Sequence, residues 1–236
     1  LSLCMGFTLL AGCDGSTAAD TPSPSDSAPT SGDHAPGDTT EPEAKTITIA
    51  QSANFAAGFS TEVHSYECTY YMNNWYNTLV EQLDNDFVPA LATDWIVSED
   101  GLVYTFNLRD DVRFSDGTGF NAESVKLYYD NMRPSLGASA NYGQLDMYTQ
   151  EITVDSEFTV SVHLIKPYFG VLKDLSMILP RGIMSAAAFQ EDGNVNSEYL
   201  MDHTAGTGPY MLESINAMAT EYIFVRNPYY WGEAPD

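Results

Sequence analysis

Apolar and polar residues alternate with a period of two through Leu102, Tyr104, Phe106 and Leu108, the spacing of a half-buried strand. Leu91, Trp95 and Val97 lead into it through the turn Ser98-Glu99-Asp100-Gly101. A second turn, Ser115-Asp116-Gly117, offers a glycine where a positive φ is wanted. Asn121 then N-caps a helix whose apolar positions are Ala122, Val125, Leu127, Tyr128 and Tyr129, with Glu123 near its positive end.

The same pattern predicts the other elements. Lys45–Ala50 alternates like a strand that starts the folded domain. Tyr71, Trp75, Leu79 and Leu83 recur at helical spacing and predict a helix from Met72 to Leu83. From Tyr148 a strand, the turn Asp155-Ser156-Glu157 and a second strand Thr159–Leu164 make a hairpin that Pro167 ends. Leu172–Ile178 reads as a short helix and Met184–Gln190 as another, before last strands at Tyr210–Leu212 and Glu221–Arg226.

Composition narrows the partners. With 33 acidic against 9 basic residues the formal net charge is −24, which argues against nucleic acid and against anionic membrane surfaces. The apolar run Leu3–Leu10 is too short to span a bilayer as a helix. It leads into Leu9-Leu10-Ala11-Gly12-Cys13, which resembles a bacterial lipobox: small residues admit the processing peptidase and the Cys13 thiol accepts the lipid. Residues 1–12 are thus expected to be an incomplete lipoprotein signal peptide. Asp14–Glu43 has no Lys, Arg or aromatic residue and cannot bury a core, so 13–43 is expected to be a lipidated Cys followed by a disordered acidic tether. As a flexible coil it would reach about 30 Å.

Two ordered motif blocks carry a family resemblance. The first is Leu91-Ala92, Asp94-Trp95, Asp100-Gly101, Tyr104-Thr105-Phe106-Asn107-Leu108-Arg109, Val112-Arg113-Phe114-Ser115-Asp116-Gly117 and Ala122-Glu123. The second is Gly206-Thr207-Gly208-Pro209-Tyr210, then Arg226-Asn227-Pro228 and Tyr230-Trp231-Gly232. Together they resemble the signature of the extracytoplasmic solute-binding proteins of ABC transporters, in the family that binds peptides and nickel, with the nickel type favoured. The resemblance implies an α/β fold, a periplasmic-binding-protein-like (type II) lobe with a mixed central sheet over 44–236. It also implies truncation before a second lobe; because the chain opens on Leu1 inside an apolar run, a fragment open at both ends is expected.

Candidate chemistry is sparse. No nucleophile elbow, zinc-protease helix, paired-cysteine motif or phosphate loop is found, so no enzymatic role and no cofactor are expected. His34, His64, His163 and His203 are scattered; His64 and His203 lie in stretches read as loops. Cys68, the one cysteine of the folded part, reads as a buried thiol. Gly206–Tyr210 has no basic neighbour and reads as structural. Leu179-Pro180-Arg181 resembles a step of nickel-type members in which the arginine holds chelator carboxylates, a task suited to a guanidinium fork. The alternative for Arg181 is a pair with a surface carboxylate. By resemblance, the loop before the Met72 helix borders the ligand cleft, which adds Tyr70, Tyr71 and Met72 as ligand-side candidates; His64 joins them because its own stretch reads as a loop that could face a cleft. After the Ala122-Glu123 helix only Arg133 could supply a further basic group, so the chelator is not specified.

The expected role is a substrate-binding lipoprotein, lipid-anchored outside the cytoplasm. It would capture a nickel chelate or short peptide and deliver it to an ABC permease. The alternative is a surface lipoprotein that uses the lobe for signalling or adhesion.

Overall fold

The computed structural model describes residues 46–50, 55, 58–61, 70–136 and 144–233, all within one compact unit, Thr46–Asp236. The expected signal peptide and tether, with Cys13, lie outside the described residues, as do His64 and Cys68. Among the described residues no helix is long and apolar enough to cross a membrane.

A four-stranded sheet in the order β3-β4-β6-β5 forms the centre, with β3 at Ala92–Val97, β4 at Val103–Leu108, β5 at Thr149–Ser156 and β6 at Thr159–Leu164. The alternation of β4 does what its period predicts. Tyr104, Phe106 and Leu108 point into the core, opposite Val162 and Val160 of β6, while Thr105 on the other face bonds Ser161 Oγ at 2.7 Å. The central sheet, expected to be mixed, is antiparallel in every pairing, because two hairpins, β3–β4 and β5–β6, meet along β4 and β6.

Helix α1, Ala122–Leu136, covers β5 and β6. Its cap is reciprocal: Asn121 Oδ1 accepts the Ser124 N–H at 3.0 Å and Ser124 Oγ accepts the Asn121 N–H at 3.0 Å. Ala122, Val125, Tyr128, Tyr129 and Met132 are buried, one stripe at helical spacing. The two predicted turn glycines have left-handed backbones, Gly101 at φ 68° and Gly117 at φ 83°.

Three further expectations fail. No helix forms over Met72–Leu83: residues 70–72 are helical, a turn and loop follow, and β1, Val80–Leu83, pairs with β2, Asp86–Pro89, as a hairpin. Asn74 Nδ2 donates back to Tyr71 O (3.1 Å) and Thr78 Oγ1 to Val80 O (2.7 Å), side chains competing with the helical ladder. Asp84 at φ 56° then turns the hairpin. Only a three-residue 3-10 turn, Ala186–Ala188, forms within Met184–Gln190, since the Ile183 N–H goes to Asn77 O and the Ser185 N–H to Ala205 O. Thr46–Ala50 is not in a strand; Ile47 and Ile49 are exposed and no described strand pairs with it.

Three short helical segments follow in the order α2, Leu145–Tyr148, α3, Val171–Leu175, and α4, Ile178–Arg181; Leu179 and Pro180 of α4 depart from helical geometry. The hairpin of β7, Tyr210–Ile215, and β8, Tyr222–Arg226, closes over an aromatic cluster of Phe55, Phe59, Trp75, Tyr222 and Phe224, in which Trp75 and Phe224 stack at 5.0 Å.

Candidate functional site

The two motif blocks, far apart in sequence, are one contact in space. Ser115 of the first donates its N–H to Gly206 O at 2.7 Å and its hydroxyl to Thr204 O. The Arg109 guanidinium lies over the Trp231 ring, 4.4 Å from its centroid, and Tyr229 OH sits beside Gly117.

The second block holds residues 74–77. Gly208 donates its N–H to Trp75 O (2.9 Å) and Tyr210 to Asn74 O (2.8 Å). A Cβ on Gly206 would lie 2.1 Å from Trp75 O and one on Gly208 2.5 Å from Trp75 C, so backbone can meet backbone there only with glycine. Asn77 Oδ1 accepts from buried Thr207 Oγ1 at 3.0 Å and from Trp231 Nε1 at 3.2 Å. Asn227 locks the far side, its Nδ2 donating to Gly208 O and its N–H to Pro209 O. The motif thus forms a support, with no phosphate-binding geometry.

Just before the supported stretch stand three of the sequence candidates, in three settings. Tyr70 is 82% exposed; Tyr71 is half-buried with its ring 5.9 Å from that of Phe55; Met72 is fully buried in the core. Next to this stretch, Asn73, Tyr76, Asn77, Thr78, Glu81, Lys173, Ser176, Met177 and Ile178 line an open groove of about 480 Å³.

Arg181 is not on the surface. It has no solvent exposure and pairs bidentately with Asp146 on α2, Nη1 to Oδ1 at 3.1 Å and Nη2 to Oδ2 at 2.7 Å. Burial works against its charge, but the hydrogen bonds and charge of Asp146 outweigh it and hold the pKa above the ordinary value. Arg181 Nε and Tyr129 OH are buried without hydrogen-bond partners, with the guanidinium carbon 6.0 Å from the Tyr129 ring centroid. Each such orphan costs about 1–3 kcal/mol. Tyr128, one position earlier on α1, donates to Pro180 O and shares a 2.8 Å hydrogen bond with Thr61 Oγ1, fixing the backbone that presents Arg181. Arg133 donates from Nη2 to Thr149 O at 2.7 Å.

Sequence reasoning missed Asp146, Tyr128 and Tyr129 as site-building residues. Both tyrosines were visible as apolar positions of a helix, but nothing in one dimension marks Asp146 as the partner of a residue 35 positions away. His203, among the described residues, is exposed, stacked on Tyr199 at 4.2 Å and bonded to Asp202 at 2.6 Å, away from any cluster of metal-ligating groups.

Comparison with known proteins decides the family. The family described as bacterial extracellular solute-binding proteins, family 5 Middle, matches residues 86–236. The chain belongs to that family. Its family 5 relatives include the nickel-binding periplasmic protein of Escherichia coli K12, 34% identical over 164 residues, which are 68% of this chain and 30% of that protein. A probable D,D-dipeptide-binding periplasmic protein from the same strain is 30% identical over 168 residues, again 30% of its length. Among solved structures, NikA from Brucella suis in complex with Fe(III)-EDTA superposes with a TM-score of 0.70 at 30% identity, covering 79% of this chain and 36% of that one. DppA from Helicobacter pylori in complex with the peptide STSA gives a TM-score of 0.59 at 30% identity, over 73% of this chain and 37% of that one. The fold is accordingly a type II periplasmic-binding-protein lobe, and this family 5 chain spans about a third of the length of the relatives it matches.

Gly206→Ala tests the support. The intruding methyl group is expected to lower stability by about 3 kcal/mol, the upper range for overpacking, read as a fall in the denaturant midpoint of the full-length protein; an unchanged midpoint would mean that the contact yields freely.

Proposed function

We propose that this chain is part of a substrate-binding lipoprotein of an ABC importer, which captures a nickel chelate or a short peptide outside the cytoplasmic membrane and delivers it to the permease. Family membership supports transport. The observation that carries the ligand reading is Arg181: a buried guanidinium whose terminal nitrogens pair with Asp146 while its own Nε and the nearby Tyr129 OH have no hydrogen-bond partner. A guanidinium recognises carboxylates, which chelators and peptide termini share. In this reading Tyr70 and Tyr71 supply an aromatic wall with Met72 packed beneath them, and His64 belongs to the same ligand-side stretch.

The mechanism is closure rather than bond breaking. Two lobes trap a ligand between them, and the closed form docks on the permease. The rigid support under residues 74–77 suits it, because a lobe that moves as a body keeps its ligand groups in register. Lipidation at Cys13 and the acidic tether would hold this body beside the transporter.

Titration calorimetry of the full-length protein with nickel(II), nickel(II) plus L-histidine, and a panel of short peptides is expected to show saturable binding of one class, accompanied by compaction in small-angle scattering. Absence of both for every probe would overturn the import reading. Cys13→Ser is expected to move the protein from the membrane to the soluble fraction of cells; retention in the membrane would refute the anchor.

A further inference from the structure

We propose that Asp146 determines ligand specificity by occupying the Arg181 fork, an internal carboxylate in the place where an external one would pair. The proposal rests on the reading of Arg181 as a ligand-side group. Both terminal nitrogens of Arg181 are committed to Asp146, and Arg181 has no exposure while the Asp146 side chain keeps 13%. Solvent therefore reaches the pair from the Asp146 side, and a carboxylate arriving from there meets Asp146 first.

Asp146 is not what holds its own element. Asp174 Oδ2 accepts the N–H groups of Gln144 at 2.8 Å and Leu145 at 2.9 Å, Thr149 Oγ1 donates to Leu145 O at 2.8 Å, and the Leu145 side chain is buried. Nor does Asp146 alone position Arg181, whose N–H goes to Met177 O at 3.1 Å and whose preceding carbonyl is held by Tyr128. The backbone that carries the fork is thus held independently of the Asp146 carboxylate. Donor capacity exceeds what Asp146 satisfies, since Arg181 Nε and Tyr129 OH lie unpaired beside it.

The consequence is selectivity. The pair presents no net charge, so a ligand without a carboxylate meets no penalty, whereas a ligand carboxylate binds only as tightly as it displaces Asp146 from a geometry already bidentate.

Carboxylate rescue tests this in the full-length protein, with sodium formate as probe and sodium chloride of equal ionic strength as control. Asp146→Ala is expected to lower the thermal midpoint, and millimolar formate to restore several degrees of it saturably, with no such effect of chloride and none of formate on the wild type. Adding Arg181→Ala to Asp146→Ala should abolish the formate response. Asp146→Asn, which keeps the shape and removes the charge, should also gain a formate-dependent rise, so the test survives if the alanine variant does not fold. The proposal is overturned if formate acts on neither variant beyond chloride, or acts equally without Arg181. The two readings fail separately: ligand-dependent closure of the wild type without formate rescue sinks the specificity role and leaves import standing.

Discussion

The fold depends on a place where main chain meets main chain. Gly206 and Gly208 bring their backbone against Asn74 and Trp75 at a distance no side chain would tolerate, and the hydrogen bonds from Gly208 and Tyr210 to Trp75 O and Asn74 O run across that contact. Around it the polar groups are matched in turn: Thr207 and Trp231 to Asn77, Asn227 to Gly208 and Pro209, Ser115 to Gly206. Buried polar groups are stabilising only when satisfied, and here most are satisfied by residues of the two motif blocks. The motifs are therefore explained by architecture: the first braces the second through Ser115, and the second fixes residues 74–77, from which the chain runs back to Tyr70–Met72 and on to β1.

The pair of Arg181 and Asp146 is built differently. It leaves two donors unpaired in a buried setting, and a buried ion pair is weak evidence for stability. The Arg181 backbone, at the end of α4, is held through Pro180 by Tyr128. That contrast, a largely matched support next to an undermatched charge, is the physical basis for reading structure in one and proposing ligand recognition for the other.

Much of this was legible in the chain, where local chemistry and packing agree. The period of two through Tyr104, Phe106 and Leu108, the Asn121 cap and the glycines at Gly101 and Gly117 each stand where their physics requires. The reading failed where side chains compete with the backbone. Trp75 and Leu79 keep helical spacing, but Asn74 and Thr78 bond the main chain, and Asn77 serves residues 130 and 154 positions away. The site was half legible: Leu179-Pro180-Arg181 is a recognisable step, whereas its partner Asp146 is a carboxylate like the 32 other acidic residues until the fold brings α2 and α4 together.

The account rests on the glycine contact being the most firmly held part of this lobe. Amide hydrogen exchange of the full-length protein measures it directly. The N–H groups of Gly208 and Tyr210 are predicted to exchange in the slowest class, alongside those of β4, opening only with the whole lobe. Exchange as fast as that of the exposed turn at Asp84 would contradict the account, because the two motif blocks would then be touching without holding.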